Sequence, residues 1–68
     1  MKHITAEEFR SYLEVQASGK YNMFSSDAIY ETGLNKGLYM DIIKNYKELV
    51  DKYRDSDECK NLIKRLGK

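Results

Sequence analysis

Apolar residues recur along this chain at a helical period of 3.6 residues, interrupted at three places by polar or glycine-containing punctuation. Phe9, Tyr12, Leu13 and Gln16 follow one another at i, i+3, i+4 and i+7, which puts them on one face of a helix. The run Thr5-Ala6-Glu7-Glu8 precedes that face. It reads as a capping box: the Thr5 hydroxyl accepts from the Glu8 amide while the Glu8 carboxylate reaches back to the Thr5 amide, with Ile4 and Phe9 as a hydrophobic staple. The first predicted helix therefore starts after Thr5 and ends near Ser18, where Gly19 can turn left-handed.

A short second helix is predicted over Ser26 to Thr32, with Ser25 or Ser26 as cap, Asp27 in the first turn and Gly33 as terminator. Asn35 caps a third that runs to about Tyr53, with Leu38, Ile42, Ile43, Tyr46, Leu49, Val50 and Tyr53 on one stripe. On its outer face Lys44–Glu48, Glu48–Lys52 and Lys47–Asp51 are spaced for i, i+4 pairing. Asp55 or Ser56 begins a last helix carrying Cys59, Leu62, Ile63 and Leu66, closed by Gly67. Lys60, Lys64, Arg65 and Lys68 lie in or beyond its later turns, where cations suit the negative end of the helix dipole. The pattern predicts an all-α fold, a compact bundle of three to four helices with a middle resembling a helix-turn-helix, as a single domain over residues 1–68.

Composition narrows the function. The chain has 68 residues, and a domain of that size buries only about 60% of the surface its unfolded chain exposes. Such a core asks for support from a disulfide, a metal or self-association. Cys59 is the only cysteine and His3 the only histidine, so neither an internal disulfide nor a four-ligand zinc site is expected. Association into a homodimer is the support that remains. The net charge of +1 divides as −2 over residues 1–34 (three basic, five acidic) and +3 over residues 35–68 (nine basic, six acidic), well short of a dedicated nucleic-acid binder. No stretch approaches the ~20 apolar residues of a membrane span and the first residues lack a signal-peptide core. A protein that stays in the cytoplasm, away from membrane, is expected.

Catalytic residues are not indicated. The single histidine lies at the edge of the chain, the capping box accounts for Glu8, and Gly19, Gly33, Gly37 and Gly67 are spaced as punctuation rather than as a phosphate-binding loop. No cofactor and no metal are expected. What stands out is Asn22-Met23-Phe24, two large apolar side chains in a connection between helices. Either the pair plugs the core from the loop or it belongs to a surface that another macromolecule covers. With Tyr21, Tyr30, Tyr39 and Met40 it makes a candidate protein interface, since aromatic residues and Met are enriched at such surfaces. Tyr12, Tyr46 and Tyr53 are expected at the core edge with their hydroxyls in water.

The alternative is DNA binding through residues 26–43, read as helix, Gly-Leu turn and longer helix. Its reading face would be Lys36, Tyr39, Met40 and Lys44, a set with no arginine or glutamine. Ile29 also stands where the first helix of that motif usually has a small residue.

Tyr12-Leu13-Glu14-Val15-Gln16, Ser18-Gly19, Asn22-Met23-Phe24, Thr32-Gly33-Leu34 and Ile42-Ile43-Lys44-Asn45-Tyr46 together resemble a group of small uncharacterised proteins encoded by phages and prophages of Gram-positive bacteria. The resemblance covers roughly residues 5 to 53, and its most specific element is the serine-glycine, two-residue gap, Asn-Met-Phe run. It implies a phage origin and the cytoplasm of a bacterial host, and it transfers no binding or catalytic residue. A small accessory protein that binds a host or phage protein is the function these readings favour.

Overall fold

A computed structural model describes residues 3–67 of the chain; Lys68 lies outside them. The order is α1 (Ala6–Ser18), α2 (Ser26–Thr32), α3 (Lys36–Lys44), α4 (Tyr46–Tyr53) and α5 (Lys60–Arg65), with no strand among the described residues. The fold is all-α as the periodicity predicts.

The starts of α1, α2 and α3 follow the cap chemistry. At α1 the Thr5 hydroxyl accepts from the Glu8 amide at 3.1 Å and Glu8 Oε1 accepts from the Thr5 amide at 2.9 Å, the full reciprocal box. The staple residues Ile4 and Phe9 are both buried. Ser25 caps α2 through the Ala28 amide and Asn35 caps α3 through the Leu38 amide. Gly19 and Gly33 close α1 and α2 at φ 68° and 74°, left-handed values that a side chain would strain.

The long third helix predicted up to Tyr53 is corrected to two, which gives five helices among the described residues, four of them of 7 residues or longer. Asn45 leaves the helical conformation at φ −113°, ψ 21°, and its side-chain amide donates to the Asp41 carbonyl at 2.9 Å. An asparagine that bonds its own backbone competes with helix continuation. The break also serves packing. Leu38 and Ile42 of α3 and Leu49 and Val50 of α4 are all buried, and two segments can each turn that face inward where one straight rod of 18 residues would extend about 27 Å. Lys44 and Glu48, expected as an i, i+4 pair, fall on opposite sides of the break. Among the described residues Asp51 pairs with Arg54 at 3.2 Å, Arg10 with Glu14 and Lys60 with Asp57, all exposed and so worth little.

The last helix starts later than expected. Ser56 accepts from the Cys59 amide through its hydroxyl and from the Lys60 amide through its carbonyl, holding a turn that leads into α5. Cys59 is fully buried, and its thiol donates to the Ala6 carbonyl at 3.3 Å.

α1 is the hub. It packs on α2, α3 and α5, and its Phe9 sits within an aromatic group, with Tyr46 at 5.8 Å edge-on, Tyr53 at 6.1 Å and Tyr12 stacked at 6.5 Å. Two hydroxyls expected in water find protein partners instead. Tyr46 donates to Gln16 Oε1 at 3.0 Å and Tyr53 to the Ile4 carbonyl, so α4 is tied to both ends of α1. A buried aromatic ring brings its polar tip within reach of whatever acceptor lines the core edge.

Candidate functional site

The loop between α1 and α2 starts at Gly19 and is held by its own polar side chains. Asn22 Oδ1 accepts from the Phe24 amide at 2.9 Å, and the Asn22 carbonyl accepts from both the amide and the hydroxyl of Ser25. These bonds define a turn whose two middle residues lie in opposite environments. Met23 is half-buried against the core, and its carbonyl accepts from the Tyr39 hydroxyl at 2.6 Å. Phe24 points away, 75% exposed. The pair therefore divides: Met23 packs against the core, and Phe24 is left in solvent.

Tyr30 joins Phe24 at the surface, 86% exposed. A cleft of about 590 Å³ lies between α2 and α3, lined by Phe24, Ile29, Tyr30, Leu34 and Met40, with Lys36 at its rim. Helical spacing explains the grouping. Ser26, Ile29 and Tyr30 lie on the side of α2 away from buried Ala28, while Lys36, Met40 and Lys44 form an i, i+4, i+8 stripe opposite the buried Leu38 and Ile42 of α3. Ile29 and Leu34 were not singled out by sequence as candidate interface residues. Their signal was the spacing that places them beside Tyr30 and Met40, visible only once α2 and α3 were set side by side.

The remaining candidates separate. Tyr21 lines a polar recess between α1 and α2 with Glu14, Lys20 and Glu31. Asn22 and Met23 border a second hollow, of about 460 Å³, with Gln16, Ile43 and Tyr46; Phe24 is shared between this hollow and the cleft. Tyr39 is corrected. It is wholly buried, its ring 5.2 Å from that of Tyr12, and belongs to the core rather than to any exposed surface. The physical reason is its position one turn from Ile42 and next to Leu38, on the inner face of α3.

The same burial removes Tyr39 from the reading face of a helix-turn-helix. Lys36 and Lys44 remain exposed on α3 with half-buried Met40 between them, and α2 rests on α1 more than on α3. A stripe of two lysines and a methionine offers cationic contacts but carries no arginine, asparagine or glutamine to read base edges.

Burial raises the hydroxyl pKa of Tyr12, to about 12, with the neighbouring Tyr39 and Tyr46 hydroxyls adding to the effect. Tyr39 is also raised by burial, as is Tyr46, where the Gln16 hydrogen bond partly opposes it. The Cys59 thiol is pushed up mainly by burial. These groups are protonated at neutral pH and face the interior. Among the described residues no three of His, Cys, Asp and Glu gather as a metal site, and no helix is long and apolar enough to cross a membrane. No family model, curated protein or solved structure matches the chain.

Proposed function

We propose that this protein is a non-enzymatic accessory protein that acts by binding another protein through the Phe24–Tyr30 face. The supporting observation is the exposure of these two rings, 75% and 86%, beside a cleft of about 590 Å³ in which Ile29, Leu34 and Met40 lie together with Ser26 and Lys36. Scattered surface apolar residues are ordinary, but two large aromatics flanking one depression are the arrangement in which a partner's side chain gains most from leaving water. The chemistry of the interior agrees with binding rather than catalysis: the buried titratable side chains are Tyr12, Tyr39 and Cys59, whose raised pKa values keep them neutral. The resemblance to phage and prophage proteins makes a bacterial host or phage protein the partner class in this reading.

The test is site-specific. With a photoreactive phenylalanine analogue replacing Phe24 or Tyr30 in cells producing the protein, irradiation should yield discrete protein adducts, and the same analogue at exposed Glu48 on α4 should not. Adducts of equal pattern from all three positions, or none from either cleft position, would overturn the proposal.

A further inference from the structure

Tyr12, Tyr39, Tyr46 and Tyr53 pack into the interior, and three of them spend their hydroxyl on a protein acceptor: Tyr39 on the Met23 carbonyl, Tyr46 on Gln16 and Tyr53 on the Ile4 carbonyl. Tyr12 is the exception. It is only 5% exposed, and among the described residues its hydroxyl makes no hydrogen bond. A polar group held this far inside a protein asks for a partner.

No side-chain nitrogen or oxygen among the described residues is both buried and unpaired, so the Tyr12 oxygen reaches the molecular surface. It does so at the hollow of about 460 Å³ bounded by α1, the α1–α2 loop and the α3–α4 junction. We propose that this hollow is a binding site for an uncharged apolar group carrying a carbonyl oxygen, which accepts a hydrogen bond from the Tyr12 hydroxyl.

The polar inventory sets the acceptor. Gln16 and Asn22 border the same hollow, and their oxygens are already taken, by the Tyr46 hydroxyl and the Phe24 amide. Their side-chain NH2 groups make no hydrogen bond among the described residues. Two amide donors and one hydroxyl therefore border the hollow, and an occupant has to bring acceptors. The Tyr12 phenol, pushed up to about 12 by burial, keeps its proton at neutral pH and can donate it.

The walls set the rest of the group. Met23, Phe24 and Ile43 supply apolar surface, and the rings of Tyr12 and Tyr46 lie 5.8 Å apart. No lysine, arginine, aspartate or glutamate lines the hollow, so a charged occupant would lose water without gaining a counter-charge. Its volume falls in the range of about 300–1,000 Å³ in which small groups are held by apolar walls and a few placed polar atoms. A carbonyl beside an apolar body occurs both in a free small amide and in an apolar residue of a partner protein. The second source rests on the reading of the Phe24–Tyr30 face, which meets the hollow at Phe24.

The experiment is a titration of the isotope-labelled full chain with N-acetyl-leucine methylamide, followed by amide correlation spectra. The side-chain NH2 signals of Gln16 and Asn22 should shift saturably, with a dissociation constant of about 1 mM for a compound of this size; that of Asn61 on α5 should stay. Tyr12→Phe removes an oxygen that the free chain does not bond. It should weaken binding about two- to tenfold with helical circular dichroism unchanged, whereas a merely structural hydroxyl would leave the affinity alone. Phe24→Ser, which removes an exposed wall, should weaken it as well and serves if Tyr12→Phe does not fold. The free acid, N-acetyl-leucine, should bind more weakly than the methylamide. Absence of saturable shifts, shifts spread over the whole surface, equal affinity in both variants and wild type, or tighter binding of the free acid would each overturn the proposal. A photoreactive phenylalanine analogue at Ile43, which lines the hollow and not the cleft, separates the sources: discrete protein adducts assign a partner's residue, and a small companion retained in native mass spectrometry assigns a free compound. Protein adducts from position 24 or 30 with no response to the methylamide would leave the Phe24–Tyr30 face standing and remove this site.

Discussion

The Tyr39 hydroxyl donates to the Met23 carbonyl at 2.6 Å across 16 residues of chain, fastening the α1–α2 loop to the inner face of α3. Because the ring is wholly buried and the acceptor is half-buried, the two parts of this side chain can be separated by mutation. Tyr39→Phe keeps the ring and strands the carbonyl. It should cost about 0.5–1.5 kcal/mol in urea unfolding and speed amide exchange in the loop more than in α1. Tyr39→Ala should cost about 3–5 kcal/mol, the range for deleting a large buried ring. An equal effect of both substitutions would mean that the hydroxyl, not the ring, carries the residue's contribution.

Met23 and Phe24 are neighbours with opposite roles, and their substitutions should part accordingly. Phe24→Ser removes a ring already 75% in water, so stability of the isolated chain should change by less than about 0.5 kcal/mol. Met23→Ala opens space against the core and should cost roughly 1–2 kcal/mol, below the full buried-residue range because Met23 is only half-buried. Chemical denaturation of the two variants side by side decides the matter. A larger loss for Phe24→Ser would show that the loop packs the other way.

The capping box at α1 makes a prediction about the hub of the fold. Thr5→Ala leaves the Glu8 amide without its side-chain acceptor and should cost about 0.5–2 kcal/mol. In a chain of 68 residues that corresponds to a fall in melting temperature of about 4–8 °C per kcal/mol. Thr5→Ser, which retains the hydroxyl, should recover most of it. If both variants melt alike, the cap hydrogen bond is not what holds this terminus.

Much of the fold was legible because its local signals are strong and point one way. Thr5 with Glu8, Ser25 with Gly33, and Asn35 each mark a helix boundary by chemistry that acts within four residues, and those boundaries stand where the pattern puts them. The break at Asn45 was hidden because the apolar stripe from Leu38 to Tyr53 keeps helical period straight through it. Only the Asn45 side chain bonding to the Asp41 carbonyl reveals that two helices share one stripe. At the candidate site, exposure could not be assigned residue by residue. Tyr30 and Tyr39 are nine apart and look alike in sequence, yet one is 86% exposed and the other buried, because α2 and α3 present different faces to α1. That depends on how the helices are arranged in space, which single-sequence periodicity does not contain.

Alkaline titration reads out the aromatic group directly. Burial lifts Tyr12 from 10.0 to about 12, and raises Tyr39 and Tyr46 in the same direction. A phenol whose folded pKa lies above its unfolded one binds its proton more tightly in the native state, so stability is fully present below pH 10 and is lost as pH climbs through 10 toward 12. Absorbance of tyrosinate should therefore show Tyr12, Tyr39 and Tyr46 ionising together with loss of helical signal. Tyr12→Phe keeps the stacked ring while removing the most strongly shifted phenol. It should move the alkaline midpoint upward. A midpoint that stays put, or moves down, would mean that Tyr12 does not set the alkaline limit of this fold.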